Sequence, residues 1–185
     1  MEAIELGVVI DEEDVGGPAA SGDTERLAKG VPRPLVLQDG KWLWAGDAGA
    51  RRAVRGVDGT EWQGQAYSWL DVVSLAAATD ARSVRFDLAL RPAASRPPGE
   101  GLSLEVIIEI EGERRDGTRG RFRHALVSDA HSGPSGWGAA LAVERLLGLA
   151  GGPPVSPGLY HPEVLLDPAY VVKRLEEFGM RVERA

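Results

Sequence analysis

The chain has 185 residues, of which 43% are apolar, so it is long enough to bury the hydrophobic core of one ordinary domain. We therefore expect a single domain over residues 1–185. The formal net charge of −7 argues against nucleic acid binding, because contacts with phosphates require a clustered excess of Lys and Arg. The absence of cysteine excludes disulfides, thiolate nucleophiles and Cys-based metal sites.

The N-terminal sequence Met-Glu-Ala-Ile-Glu-Leu is acidic and lacks the basic segment and apolar core of a secretion signal. No part of the sequence approaches the roughly 18 consecutive apolar residues that a membrane-spanning helix requires. Together with the lack of cysteine, these features predict a soluble, cytoplasmic protein without membrane partners.

The first segments of the chain predict a strand followed by a short helix. Residues 3–10 are strand-like and, apart from Glu5, apolar, and they end at the acidic run of residues 11–14. Asp23 or Thr24 is predicted to cap the helix, and Gly30 is predicted to stop it.

The middle of the chain contains one strong turn signal and several weaker patterns. Asp39-Gly40, between two apolar segments, predicts a β-hairpin. Residues 45–67 are rich in glycine and charge, so we expect irregular structure there. Residues 69–78 have helical composition, and residues 84–90 alternate as in a half-buried strand. The prolines of residues 91–101 predict a mobile surface loop.

The clearest strand pattern follows this loop. In residues 102–111, the even-numbered residues are apolar and fall on one face, whereas Ser103, Glu105, Glu109 and Glu111 fall on the other, and Asp116-Gly117 turns the chain into a partner strand over residues 120–128. A tight two-residue turn would place Glu109 opposite His124, although a single bulge would shift this pairing.

The last third of the chain predicts two helices and a closing strand. Residues 135–150 are almost entirely apolar, which predicts a helix that is buried on most sides and ends at the Gly-Gly-Pro-Pro sequence of residues 151–154. Asp167 is predicted to cap a final helix that Gly179 ends, before a short strand over residues 180–182. These elements predict an α+β fold, with a mixed, largely antiparallel sheet and helices packed mainly on one face.

A glycine-rich loop over residues 129–138 joins a predicted strand to the N-terminus of a predicted helix. Unpaired backbone N–H groups and the helix dipole favour an anion there, so a substrate carboxylate or a cofactor phosphate is a candidate ligand. His131 and the hydroxyls of Ser132 and Ser135 are candidates for further contacts. Alternatively, the glycines only permit a tight turn and a close approach of helix to sheet.

Two other features complete the candidate site. Trp137 lies at the helix start, and we expect it in a cleft. Glu163, in the His-Pro-Glu sequence of residues 161–163, offers a carboxylate for acid–base chemistry or for capping a neighbouring backbone. The histidines lack the spacing of metal ligands, so no metal site is predicted, and no catalytic residue is assigned. The candidate substrate-binding residues are His131, Ser132, Ser135, Gly136, Trp137, His124 and Glu163.

Five arginines lie within residues 114–123 and alternate with acidic residues there and in the preceding strand. Such a stretch is typical of a solvated hairpin tip, and an anion site is the alternative.

Several segments, taken in order, resemble the C-terminal domain of the saccharopine dehydrogenase-like oxidoreductases. The resemblance begins with the Ser-Gly-Asp-Thr turn of residues 21–24 and the hairpin of residues 34–42. It continues with the Gly-Pro-Ser-Gly-Trp-Gly helix start of residues 133–138 and the segment ending in Pro-Glu over residues 155–163, and it closes with the helix before Gly179.

The resemblance implies one domain of an NAD(P)-dependent enzyme, in which this α+β domain closes the substrate cleft and contributes to a homodimer. No strand followed by G-x-G-x-x-G is present, so no cofactor is expected in this chain and no independent hydride transfer. A strand directly after Met1 fits a start at a domain junction. Gly138 replaces the threonine that relatives carry, so that hydroxyl contact is not transferred. A free-standing module that binds small carboxylates and a self-association domain remain alternatives.

Overall fold

The computed structural model describes residues 1–14, 16–30, 33–46, 49–67 and 70–184, and nine strands of these residues form one mixed sheet. The strands are β1 (Ala3–Asp11), β2 (Leu35–Gln38), β3 (Lys41–Trp44), β4 (Arg51–Arg55), β5 (Glu61–Ala66), β6 (Ser83–Arg91), β7 (Leu104–Glu113), β8 (Arg119–Ser128) and β9 (Arg181–Arg184). The helices are α1 (Pro18–Gly30), α2 (Leu70–Ala78), α3 (Ser132–Leu146), α4 (Pro162–Leu165) and α5 (Pro168–Glu177).

The sheet is built around β1. This strand pairs with β6 in parallel and with β7 in antiparallel orientation, and the strand order is β3-β2-β6-β1-β7-β8-β9. All the other pairings are antiparallel, including that of the β4–β5 hairpin, which joins the outer edge of β6. The predicted α+β class, with a mixed and largely antiparallel sheet, is confirmed.

The two faces of the sheet are covered by different elements. On one face, helix α2 packs through Val72 against a buried cluster that includes Ile4, Val84 and Phe86. On the other face, the β4–β5 hairpin covers a second cluster, in which Val54 contacts residues of the central strands. We call these the helix face and the hairpin face.

The expectation of irregular structure over residues 45–67 was wrong, because this segment contains the β4–β5 hairpin. Its glycine content indicated irregular structure because glycine is depleted in strands. Gly64 lies in β5 because the two strands of the hairpin pack closely: a Cβ at this position would lie 2.6 Å from Val54 Cγ2 and 2.9 Å from the carbonyl oxygen of Arg52, both in β4. Trp69, predicted to begin the next helix, lies outside the described residues.

Strand β6 is buried on both faces, whereas the sequence predicted a half-buried strand. Asp87 and Ala89, on the face expected to be solvated, are both completely buried. The hairpin shields this face from solvent. The polar position in the alternating pattern is therefore a buried charge and not a solvent-exposed residue.

The turn between β7 and β8 shifts the predicted register by one residue. Arg114 N–H bonds to the carbonyl of Thr118, and Gly117 has a φ of +83°, so three residues form the loop instead of two. Glu109 therefore pairs with Arg123 rather than with His124.

Two helices begin earlier than predicted. Helix α1 starts at Pro18, because proline fits the first turn of a helix, and Asp23 lies inside the helix and pairs with Arg26. Helix α3 starts at Ser132 and ends at Leu146, before the predicted end at Ala150. Gly148, with a φ of +76°, forms the helix-ending motif in which Leu149 N–H bonds to the carbonyl of Glu144.

Helix α3 is also far more exposed than predicted. Leu141 is its one fully buried residue, while Val143 is 51% and Leu146 37% exposed. Apolar composition predicts burial only where another element is available to pack against it.

Two turn and cap predictions were confirmed. Asp39 and Gly40 have positive φ values of 50° and 78° and join β2 to β3 as a two-residue hairpin. Asp167 caps α5, since its carboxylate accepts a hydrogen bond of 2.8 Å from Tyr170 N–H.

The close approach at Gly64 yields a stability test. Gly64→Ala is expected to lower the free energy of unfolding by about 1–3 kcal/mol, because the new methyl group must displace Val54 and the β4 backbone. Gly101→Ala is the control, since a Cβ there meets nothing within 4 Å. Urea denaturation of both variants measures the difference, and equal stability would contradict the tight packing.

Candidate functional site

The carboxyl ends of strands β1 and β8 lie at the same end of the sheet. Both are antiparallel to β7, which lies between them, so their carboxyl ends point the same way. Asp14 follows the end of β1, and His131 follows the end of β8. The topology thus joins two loops that are more than a hundred residues apart in sequence.

The Asp14 carboxylate holds His131 through two contacts. Oδ2 accepts a hydrogen bond of 2.7 Å from the backbone N–H of His131, and Oδ1 lies 2.8 Å from Nδ1 of the imidazole. The Asp14 side chain is only 7% exposed and that of His131 is 26% exposed. The Nδ1 contact lacks hydrogen-bond geometry, so the backbone bond holds the loop while the imidazole lies against the carboxylate at a partly accessible position.

The space next to His131 depends on a glycine of the loop that follows β1. A Cβ at Gly16 would lie 3.3 Å from Nε2 of His131. Helix α3 begins directly after His131, and the exposed Ser132 and Ser135 lie in its first turn. Ser135 Oγ lies 3.5 Å from the carbonyl of His131, the long limit of a hydrogen bond.

This arrangement combines a histidine that lies against a carboxylate with the N-terminus of a 15-residue helix. A carboxylate at one nitrogen of an imidazole sets its orientation and leaves the other nitrogen for a ligand or a proton. The helix N-terminus favours a negative charge. The chemistry that fits is hydrogen bonding to a small anion, with a proton donor or acceptor at Nε2.

The structure brings together five of the seven predicted site residues on one loop and helix start. Among these, Trp137 is not in a cleft as expected: its ring stacks on Phe178 with centroids 3.6 Å apart, and it is 39% exposed. Trp137 thus attaches the start of α3 to the end of α5.

His124 and Glu163 do not join the other five. His124 lies within β8, opposite Ile108 and Arg184. At about 3.3 Å per strand residue, it is roughly 13 Å from the end of β8 at Ser128. Glu163 is exposed on the short helix α4 and forms no ion pair within the described part of the chain.

Asp14 is the site residue that the sequence analysis missed. Its only signal was the acidic run that ends the first strand, and such runs are usually solvated. Two further acidic residues at this edge are buried and paired: Asp11 Oδ2 accepts from Arg96 at 2.9 Å, and Glu105 Oε1 accepts from Arg91 at 3.2 Å. Arg96 thereby anchors the loop that was predicted to be mobile.

A cleft of about 690 Å³ lies on the hairpin face, between β4 and the central strands. Three of its four arginines are paired: Arg52 lies 2.5 Å from Glu5, Arg121 bridges Glu5 and Glu109, and Arg123 lies 3.4 Å from Glu109. The fourth, Arg55, forms no ion pair with any residue that the structure describes. The arginine-rich segment therefore crosslinks the sheet instead of forming a solvated tip only. Because three of the four lining guanidinium groups already have a carboxylate and two carboxylates line the cleft themselves, the cleft is less suited to an anion than the His131 loop.

No protein-family model matches the chain, and no characterised protein matches it significantly. In the described ranges, no three His, Asp or Glu side chains group together in a way that would hold a metal ion. None of the helices in those ranges is long and apolar enough to span a membrane.

The Asp14 contacts predict a local stability effect. Asp14→Ala is expected to lower the free energy of unfolding by about 1.5–3 kcal/mol, because it leaves the His131 N–H without its charged acceptor. Asp129→Ala, at an exposed position of the same loop, is the control. Chemical denaturation gives the difference, and amide hydrogen exchange should accelerate at His131 only in the Asp14 variant.

The turn of the β4–β5 hairpin yields a prediction about pH. Hydrogen bonds from the backbone N–H and the hydroxyl of Thr60 lower the pKa of Asp58. A lowered folded-state pKa means that this contribution to stability is present above the unfolded pKa and is lost as pH falls through the folded value.

Thr60→Val is therefore expected to raise the pKa of Asp58 part of the way to its ordinary value, since one of the two donors is removed. Carboxyl NMR titration measures this shift. The pKa of Asp116, which Thr118 lowers in the same way at another turn, should stay unchanged in the variant.

Proposed function

We propose that the chain is the substrate-cleft and dimerisation domain of a saccharopine dehydrogenase-like NAD(P)-dependent oxidoreductase, and that a substrate carboxylate binds at the His131 loop. The observation that carries this proposal is the contact of Asp14 with His131 at the start of α3. It turns a glycine-rich loop into an ordered, accessible group of polar atoms.

Each part of this loop has a distinct role in the proposal. The first N–H groups of α3 and the hydroxyls of Ser132 and Ser135 bind the carboxylate, and Nε2 of His131 forms a hydrogen bond to a polar group of the substrate. Asp14 is a positioning residue, since it acts through His131. Hydride transfer requires a nicotinamide held by a nucleotide-binding domain, so we expect no oxidoreductase activity from this domain alone.

A self-association domain is the second candidate function, and the exposed apolar surface near α3 favours it. Leu147 and Leu149 are 59% and 71% exposed, and Val164 and Leu159 are 76% and 95% exposed. Isolated monomers rarely expose large contiguous apolar patches, which usually mark contacts with another protein surface. A free-standing module that binds small carboxylates without a nucleotide is the third candidate.

Titration with a panel of small mono- and dicarboxylates, followed by backbone amide NMR, tests the site. We expect shifts at residues 131–136, and His131→Gln should weaken binding about tenfold, which corresponds to the loss of one hydrogen bond to a charged group. His161→Gln, at an exposed histidine outside the loop, should bind like the wild type. No shifts at this loop, or equal binding by both variants, would contradict the proposed site.

The coding DNA directly upstream of Met1 separates the reductase from the other two candidates. An in-frame strand, G-x-G-x-x-G turn and helix would support the reductase. A stop codon close upstream would leave a binding or self-association module.

A further inference from the structure

Strand β3 forms one end of the sheet and is unusually apolar for an edge strand. No other described strand pairs with its outer side. Three of its four residues are large and apolar, and all are exposed: Trp42 is 46%, Leu43 42% and Trp44 54% exposed. Proteins usually protect such edges with charged residues, but Lys41 is the one charge on this strand.

The hydrogen-bond pattern of the β2–β3 hairpin determines which backbone groups are free. Ala45 N–H bonds to the carbonyl of Pro34, directly opposite, at 2.8 Å. Bonded and non-bonded pairs alternate along an antiparallel ladder, so Leu43 and Lys41 also bond to β2. The N–H and C=O groups of Trp42 and Trp44 therefore point to the open edge.

We propose that β3 pairs with β3 of a second copy of the chain, antiparallel about a two-fold axis, with Trp42 opposite Trp44 of the other copy. This register lets the four outward groups of each copy bond to those of the other. It places Leu43 opposite Leu43 at a non-hydrogen-bonded pair. The inference rests on the dimerisation part of the proposed function, assigns it to a surface other than the one near α3, and is independent of the substrate site.

Several features favour a second copy over another partner. An antiparallel pair of identical strands is self-complementary, so it closes as a dimer instead of growing into a filament. Lys41 faces Ala45 of the other copy, which avoids a like-charge contact across the interface. Trp42 and Trp44 lie on the same face of the strand, so the pairing places four indole rings side by side, and cross-strand aromatic pairs are stabilising.

The size of this contact sets its expected strength. From their exposed fractions, the three side chains offer on the order of 300 Å² of apolar surface per copy, against roughly 800 Å² per partner in a standard stable interface. We therefore expect a weak dimer, with a dissociation constant in the range of roughly 10 to 1000 μM.

A single cysteine tests the register, because the chain contains no cysteine of its own. Leu43→Cys should form a disulfide-linked dimer under mild oxidation, since non-hydrogen-bonded partners have Cα atoms about 4.5 Å apart, within disulfide range. Ala94→Cys, at an exposed position outside both candidate association surfaces, is the control for random collision. The first variant should crosslink roughly tenfold faster or more, because pairing raises its effective concentration.

Trp44→Pro tests the edge itself. It removes an N–H that points outward, so the bonds between β2 and β3 remain while pairing with a second copy is blocked. Sedimentation from about 5 to about 500 μM should show concentration-dependent dimers for the wild type and monomers for the variant. Circular dichroism and urea denaturation of the variant check its folding.

Amide exchange provides a readout that does not rely on a variant. At high protein concentration, the amides of Trp42 and Trp44 should become protected, while those of Lys41 and Leu43 should change little. A wild-type chain that stays monomeric would overturn the proposal. Dimers without protection at Trp42 and Trp44, or crosslinking of Leu43→Cys no faster than the control, would also overturn it and would indicate assembly through another face. The carboxylate titration above is unaffected by any of these results.

Discussion

Three buried carboxylates and their arginine partners determine how the outer elements attach to the sheet. Moving a carboxylate out of water costs several kcal/mol unless a cation and hydrogen bonds replace the solvent. Asp87 is completely buried, and Arg85 binds it through two nitrogens while Arg52 reaches it from the β4–β5 hairpin at 3.1 Å. Glu105 binds an arginine of β6, and Asp11 binds an arginine of the loop that follows β6. The hairpin face is therefore held by ion pairs as well as by apolar contacts.

Local sequence signals predicted the elements whose cause is local. The two-residue turn at Asp39-Gly40 and the cap at Asp167 require particular backbone angles and a side-chain acceptor, and both can be identified from neighbouring residues. The β4–β5 hairpin was missed because Gly64 is required by a close contact with Val54 on the paired strand, which exists only once the hairpin has formed. The burial of α3 was overestimated for a related reason, since a helix is buried only if a partner surface exists.

The candidate site likewise has one part that the local sequence predicts and one part that only the fold brings to it. The loop around His131 was identifiable because glycines before a helix start are a local pattern, but its partner Asp14 became evident only from the order of the strands. Both residues follow strands that lie on either side of β7, and no spacing in the sequence encodes that neighbourhood. His124 and Glu163 were included for their chemistry alone, and the topology places them apart from the loop.

The central position of β1 has a consequence for how the chain is made. Ala3 pairs with Ser83 on one side and with Glu111 on the other, so the first strand has no lasting neighbours until residues far along the chain are available. Closing such long loops costs entropy before any contact compensates for it, which slows folding. During synthesis, β1 remains an unpaired apolar segment until β6 has left the ribosome, and its other side stays open until β7 follows. The acidic residues at its end, Asp11 to Asp14, keep the unpaired segment charged and discourage its association with other nascent chains.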